Sequence, residues 1–182
     1  MMRIITGTAR GIRLESPRGD AVRPTTEIAK EGLFSSIQFE MEGRRVLDLF
    51  AGSGQLGLEA LSRGAALAVF VDSSAAAVDL VKKNARKAGL FERCRVLHTD
   101  YAAYLKGFSG DPFDYIFVDP PYDMNAMVEI IRKLLKCGCV GNHTWIFCES
   151  NQEELDVSAL PEVENAKRYK YGKTYVHAVK LV

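Results

Sequence analysis

The chain has 182 residues, 47% of them hydrophobic, and a formal net charge of +1, which suits a single domain with a buried core and leaves no apolar run long enough to span a membrane. The near-neutral total hides two basic ends. Residues 1–23 hold five arginines against two acids, net +3, and residues 166–182 hold five cations and no acid, net +5, a footprint that suits a polyanion such as nucleic acid.

In chain order, Met1–Gly7 lacks the long apolar stretch of a secretion signal. Arg3–Thr6 and Ile12–Leu14 flank Gly7-Thr8-Ala9-Arg10-Gly11 and read as a small β-hairpin, followed by a loop at Ser16-Pro17-Arg18-Gly19-Asp20. Residues 1–22 are therefore expected as an N-terminal extension, and residues 23–182 as the main domain. From Arg45, strand-like runs alternate with amphipathic stretches. Arg45–Phe50 precedes Leu56–Arg63, Leu67–Asp72 precedes Ala75–Lys87, and Cys94–His98 precedes Tyr101–Lys106. Asp114–Asp119 then precedes Met124–Lys136, and a fifth strand is predicted at Thr144–Glu149. Such alternation predicts an α/β fold, a Rossmann-like parallel sheet with helices on both faces and its ligand at the carboxyl ends of the strands. Val163–Tyr171 and Thr174–Leu181 around Gly172-Lys173 predict an antiparallel hairpin closing that sheet. Cys94, Cys137, Cys139 and Cys148 have no second ligand pair at zinc spacing, so reduced buried thiols, a cytoplasmic location and no metal are expected.

The first strand enters Ala51-Gly52-Ser53-Gly54-Gln55-Leu56-Gly57. Glycines allow a tight turn and close approach of a ligand to the backbone. Gly52-x-Gly54-x-x-Gly57, with Asp72 about 20 residues on, formally matches a dinucleotide fingerprint. A nicotinamide oxidoreductase is thus one reading. Two features favour S-adenosylmethionine instead. Asp48 lies just before the loop, where a carboxylate repels a pyrophosphate and suits a cationic amino-acid moiety. Acids also recur at successive strand ends (Asp72, Asp100, Asp119), suiting a ribose, a base amine and a sulfonium.

The fourth strand runs into Asp119-Pro120-Pro121-Tyr122. The prolines cannot donate backbone hydrogen bonds, and each disfavours a helical residue before it, so the segment is stiff and extended. An acid, outward carbonyls and an aromatic ring are the groups that hold a planar base bearing an exocyclic amine.

Asp48–Gly54 together with Asp119–Tyr122 resembles the class I adenosylmethionine-dependent amino-methyltransferases. Arg3-Ile4-Ile5-x-Gly7, Arg23-Pro24-Thr25-Thr26, Lys30-Glu31-x-Leu33-Phe34 and Leu58–Ala65 narrow the resemblance to the RsmD family, along nearly the whole chain. Asp72 stands where that family commonly has glutamate. The resemblance implies transfer of a methyl group to the N2 amine of one guanine in 16S ribosomal RNA, within a small-subunit particle; a chain of this size is expected to work as a monomer. It implies catalytic roles for Asp119, Pro120 and Tyr122, the last stacking on the target base. Asp48, Phe50, Ala51, Gly52, Gly54, Asp72, Asp100, Tyr101, Thr25 and Thr26 are the implied cofactor-binding residues, with Thr25 equally readable as a helix N-cap. Arg10, Arg13, Arg23, Lys170 and Lys173 are the candidate RNA contacts. An adenine DNA methyltransferase of the same fold, a nicotinamide oxidoreductase and a catalytically silent RNA-binding module remain the alternatives.

Overall fold

The computed structural model describes residues 2–17, 24–37, 39–121 and 126–182, with residues 24–26 described by backbone alone. Helix α1 (Pro24–Ile37) is followed by β1 (Arg45–Asp48), α2 (Gln55–Ser62), β2 (Leu67–Asp72), α3 (Ala75–Lys87), β3 (Cys94–His98), α4 (Tyr101–Lys106), β4 (Phe113–Val118), α5 (Met127–Lys136), β5 (Val140–Ser150), β6 (Val163–Tyr171) and β7 (Thr174–Leu181). One seven-stranded sheet runs in the order β3-β2-β1-β4-β5-β7-β6. Strands β1 to β5 pair in parallel, and β7 is antiparallel to both β5 and β6. The order reverses between β1 and β4, so the crevice for a ligand opens beyond the carboxyl ends of those two strands.

Strand side chains alternate between two apolar layers. Val46, Phe70, Tyr115 and Phe117 face α1, α2 and α3; Leu47, Val71, Ile116 and Val118 face α4 and α5. Helix α5 buries Ile130, Ile131 and Leu134, and α3 buries Val78, Val81 and Ala85, each set at helical spacing along one face. No described helix is long and apolar enough to cross a membrane.

Several boundaries differ from the sequence expectation, each for a local reason. β1 ends at Asp48 rather than Phe50, although Leu49 N–H still donates to the Phe117 carbonyl (3.1 Å) and Ala51 N–H to that of Val71 (3.0 Å). β5 starts at Val140, not Thr144. Polar residues 141–143 hide its start, because they form an irregularity between the Phe113–Val140 and Tyr115–Trp145 pairs. Thr144 stitches it, its Oγ1 accepting from Gly141 N–H (2.8 Å) and donating to the Phe113 carbonyl (2.6 Å). α5 is assigned from Met127; the earlier start expected at Met124 lies outside the described residues.

The N-terminal hairpin has a single antiparallel bridge, Arg3–Arg13, with Ile4 N–H donating to Ile12 and Leu14 N–H to Met2. It packs closely on the rest of the chain. Met2, Ile4 and Leu14 belong to the same core cluster as Phe34, Leu58 and Leu61. Gly7, at φ 91°, lies against Ser62, whose carbonyl oxygen would sit 1.8 Å from an added Cβ. Any side chain there would push the hairpin off α2. All four cysteines are free thiols; Cys139 and Cys148 are buried, while Cys94 and Cys137 are only half-buried.

Candidate active site at the carboxyl ends of β1, β2 and β4

Asp48 closes β1 pointing toward α2. It is 2% exposed, and its Oδ2 accepts the Gly57 N–H at 3.1 Å. A helix N-terminus with free N–H groups attracts phosphate; here a carboxylate already occupies one of them. That physical fact weighs against a dinucleotide and explains why the glycine fingerprint misleads. Burial, together with the neighbouring charges of Asp119 and Asp72, pushes the Asp48 carboxyl up to about 8, against the lowering effect of the Gly57 bond. Three carboxylates therefore converge on this crevice, an arrangement that a bound cation relieves.

The loop after β1 is shaped by two left-handed glycines, Gly52 at φ 54° and Gly54 at φ 78°. A Cβ on Gly52 would meet nothing within 4 Å, so its backbone faces open space, whereas one on Gly54 would touch Val81 at 3.1 Å. Gly57 does a different job. Its missing Cβ would lie 2.3 Å from the Phe70 ring, so this glycine lets α2 sit down on β2. Ala51 is buried beneath the turn, and Gly54 N–H donates to its carbonyl at 2.7 Å.

Asp72, at the end of β2, is anchored by Gly52 N–H on Oδ2 (2.9 Å) and Ser74 N–H on Oδ1 (2.8 Å). Asp100 is exposed and caps α4, its Oδ1 accepting from Ala102 N–H (2.8 Å) and Ala103 N–H (3.2 Å). The half-buried rings of Phe50 and Tyr101 lie 5.2 Å apart and inclined at 42°. They form an apolar wall between the ends of β1 and β3. The residues present fit an adenosyl amino-acid cofactor. Gly52 leaves a cradle, the acids match cationic and hydroxyl groups, and the buried Gln55 Oε1 has no hydrogen-bond partner among the described residues.

Asp119 and Pro120 follow β4 directly and are half-buried; Pro121 is exposed. Beyond them opens a cleft of about 620 Å³ bordered by Pro120, Pro121, Met127, Glu149 and Gln152. Tyr122, Arg23 and the side chains of Thr25 and Thr26 lie outside the described residues. Helix α1 begins at Pro24, which places Thr25 inside the first turn rather than at the N-cap.

Arg10, Arg13, Lys170 and Lys173 are all exposed. The two basic ends border the same helix. Lys30 of α1 reaches the hairpin at the Arg3 carbonyl (2.6 Å), while Gly32 of α1 abuts the Tyr171 ring, where a Cβ would be 2.2 Å away. Not all of the C-terminal charge is available: Arg168 pairs with Glu153 and Glu154, and Lys180 with Glu164.

Three residues that position the site carried no assigned role in the sequence. Lys30 and Glu59 are buried partners, Nζ to Oε2 3.7 Å. Asn84 of α3 is fully buried; its Nδ2 donates to the Ser53 carbonyl (2.9 Å) and the Glu15 carbonyl (3.0 Å), and its Oδ1 accepts from Glu15 N–H (2.8 Å). It ties the cofactor loop to the N-terminal segment. A polar residue in the middle of an otherwise apolar helix face was the only available signal.

Residues 2–180 match the model of the family described as Conserved hypothetical protein 95. The chain is 34% identical to YlbH of Bacillus subtilis strain 168, over 96% of either chain. It is 37% identical to ribosomal RNA small subunit methyltransferase D of Escherichia coli K12, over 89% of this chain and 79% of that protein. The solved structure of Escherichia coli yhhF superposes with a TM-score of 0.85 at 32% identity, covering 98% of this chain and 97% of the other. The sheet and its helices are thus those of the class I methyltransferases. The chain belongs to the Conserved hypothetical protein 95 family, together with the ribosomal RNA small subunit methyltransferase D proteins.

Proposed function

We propose that this protein transfers a methyl group from S-adenosylmethionine to the exocyclic N2 amine of a guanine in 16S ribosomal RNA, with a small-subunit particle as substrate and the protein acting as a cytoplasmic monomer. The observation that carries the reading is the convergence of Asp48, Asp72 and Asp119 beside the open Gly52 backbone, next to the stiff Pro120-Pro121 segment. The cofactor's relatives-based assignment rests on the methyltransferase D proteins named above.

The cofactor supplies an electrophilic methyl group on a sulfonium. Asp72 would hold the ribose hydroxyls, Asp100 the adenine amine through the oxygen not used in capping, and Asp48 the ammonium. Phe50 and Tyr101 would flank the adenine, Thr25 and Thr26 would close the site, and Ala51, Gly52 and Gly54 would lie against the chain between base and methionine. On the substrate side, a guanine amine is a weak nucleophile because its lone pair is delocalised into the ring. The Asp119 carboxylate and the Pro120 carbonyl would accept its two hydrogens and favour a pyramidal nitrogen, and Tyr122 would stack on the base. Once methylated, the nitrogen would lose a proton to Asp119 or to water, the cofactor leaving as its thioether. The target guanine must be unpaired or be flipped out of its pair. Residues 1–22 serve in this reading as an extension whose Arg10 and Arg13, together with Arg23, Lys170 and Lys173, grip phosphates beside α1.

Incubating the protein with labelled S-adenosylmethionine and small subunits from cells lacking it should place label in N2-methylguanosine of 16S RNA. Label in methyladenine of duplex DNA instead would keep the fold and overturn the substrate.

Asp48 makes a second expectation specific. Its carboxyl is raised from the ordinary 3.8 to about 8, so the free protein holds a proton there at neutral pH. Binding a cation beside it expels that proton. Cofactor affinity should therefore rise between about pH 6 and about pH 8 with release of close to one proton, read by calorimetry in buffers of different ionisation enthalpy. Asp48→Asn should flatten the dependence. By the same linkage, the free protein's stability falls as pH rises from about 4 to about 8, because the folded state keeps a proton that the unfolded chain has lost. pH-independent binding would leave Asp48 as the partner of Gly57 alone.

A further inference from the structure

Asp119 by itself does not choose guanine. A carboxylate facing an exocyclic amine serves adenine as well, since both bases present an NH₂ donor. The bases differ at the neighbouring ring atom: guanine N1 carries a hydrogen, adenine N1 a lone pair. A protein that accepts only guanine needs an acceptor for that second hydrogen.

The fold supplies one. β4 and β5 are parallel and in register at Val118–Cys148, so the next residues, Asp119 and Glu149, leave neighbouring strands side by side, with backbones about 4.8 Å apart. Alternation sends both to the same side of the sheet, the side of Phe117 and Phe147. Both border one small gap closed by Lys30, Leu33, Phe117 and Phe147. Glu149 is half-buried and also borders the 620 Å³ cleft with Pro120 and Pro121. Glu149 thus borders both the gap it shares with the amine-holding residue and the space into which a base would enter.

We propose that Glu149 is the residue that selects guanine, its carboxylate accepting the N1 hydrogen while Asp119 and Pro120 hold the N2 amine. The role rests on the guanine-N2 reading above. Against adenine the same carboxylate meets the N1 lone pair, and the mismatch leaves a buried charge without its hydrogen bond. Glu149 is held in β5 opposite Val176 of β7, and Asp119 directly follows the last β4–β5 pair, so the ladder fixes where both acids start.

The test uses small subunits reconstituted with 16S RNA carrying, at the guanine mapped in the labelling experiment, either guanine or 2-aminopurine. 2-Aminopurine keeps the amine at position 2 but has a bare, accepting N1. Wild-type protein should favour guanine. Glu149→Gln retains the shape but can turn its carbonyl toward guanine N1–H or its NH₂ toward a bare N1, so it serves both bases. The guanine to 2-aminopurine ratio of kcat/KM should fall by about 10- to 100-fold, the discrimination typical of one base-edge contact. Glu149→Ala, which offers neither acceptor nor donor, should bring the ratio toward that of the bases' own reactivities. Cofactor affinity, read on the same preparations, should stay within a few-fold of wild type and shows that each variant is folded. An unchanged ratio in both variants, with wild-type protein still labelling guanine N2, overturns the role of Glu149 and leaves the function standing. Absence of label at guanine N2 with wild-type protein overturns both.

Discussion

Replacing Asp119 by alanine should lower the single-turnover rate of methyl transfer at least about 1,000-fold while cofactor affinity changes by less than about threefold. The loss of rate corresponds to about 4 kcal/mol, at 1.36 kcal/mol per tenfold. The size follows from what the group does. The nitrogen lone pair must be turned out of conjugation and held about 3–3.5 Å from the methyl carbon, and losing that positioning forfeits much of the catalytic effect. Asp119 touches the substrate's amine in this reading and not the cofactor, so cofactor affinity should survive its loss. Its removal also lifts one of the charges that raise Asp48, so the pH midpoint of cofactor binding should shift downward. Asp119→Asn separates two roles. Asparagine keeps an acceptor but not a proton sink, so substantial residual activity would mark Asp119 as a positioning hydrogen-bond acceptor. Parallel loss of cofactor affinity and rate in the alanine variant would instead make it a cofactor or structural residue. Equilibrium binding and rapid-quench measurements on the same variants decide the matter.

Replacing Glu59 by alanine should have the largest effect on stability. Glu59 is fully buried in α2. Its Oε2 accepts the Ile5 N–H at 2.8 Å and faces Lys30 Nζ, and its Oε1 accepts the Thr6 N–H at 3.1 Å and the Arg63 Nε at 2.8 Å. Burial pulls the Lys30 ammonium down, and the charge of Glu59 is the main opposing influence. Removing the carboxylate strands that buried ammonium and leaves the Ile5 and Thr6 N–H groups without their acceptor. Breaking a buried pair in this way costs about 3–5 kcal/mol, and a chain of this size loses about 2–4 °C of Tm per kcal/mol. A fall of roughly 6–20 °C is therefore expected by thermal unfolding. The hairpin should loosen from α2 first, seen as faster amide exchange at Ile5 and Thr6. A shift under about 3 °C would mean that water replaces the carboxylate and that the hairpin is held by its apolar contacts alone.

Much of the architecture was legible in the order of residues. Period-two apolar runs alternating with amphipathic stretches specify strands and helices locally, because each element must bury one face. Five parallel strands and a closing antiparallel hairpin follow from that pattern and from the Gly172-Lys173 turn, and the structure has both. The acids at strand ends were legible for the same reason: a strand's last residue is named by its position in the pattern. Asp48 next to a glycine loop pointed away from phosphate, and its bond to Gly57 supplies the physical cause.

Other features depend on contacts between segments far apart in sequence. Gly52 and Gly57 look alike in a motif, yet one faces open space and the other the Phe70 ring. Lys30 reads as a surface cation of a helix, and the fold buries it against Glu59, 29 positions away. The irregular start of β5 is set by Thr144 reaching Phe113 on the neighbouring strand. Asp119 and Glu149 become neighbours only through the register of β4 with β5. The sequence by itself determined the element order, the sheet type and the acids at the strand ends, since these depend on local periodicity and backbone chemistry. Tertiary structure alone decided which charges are buried, which glycine opens on a ligand and which two acids border one gap, since each depends on strand register and on the packing of helices across the sheet.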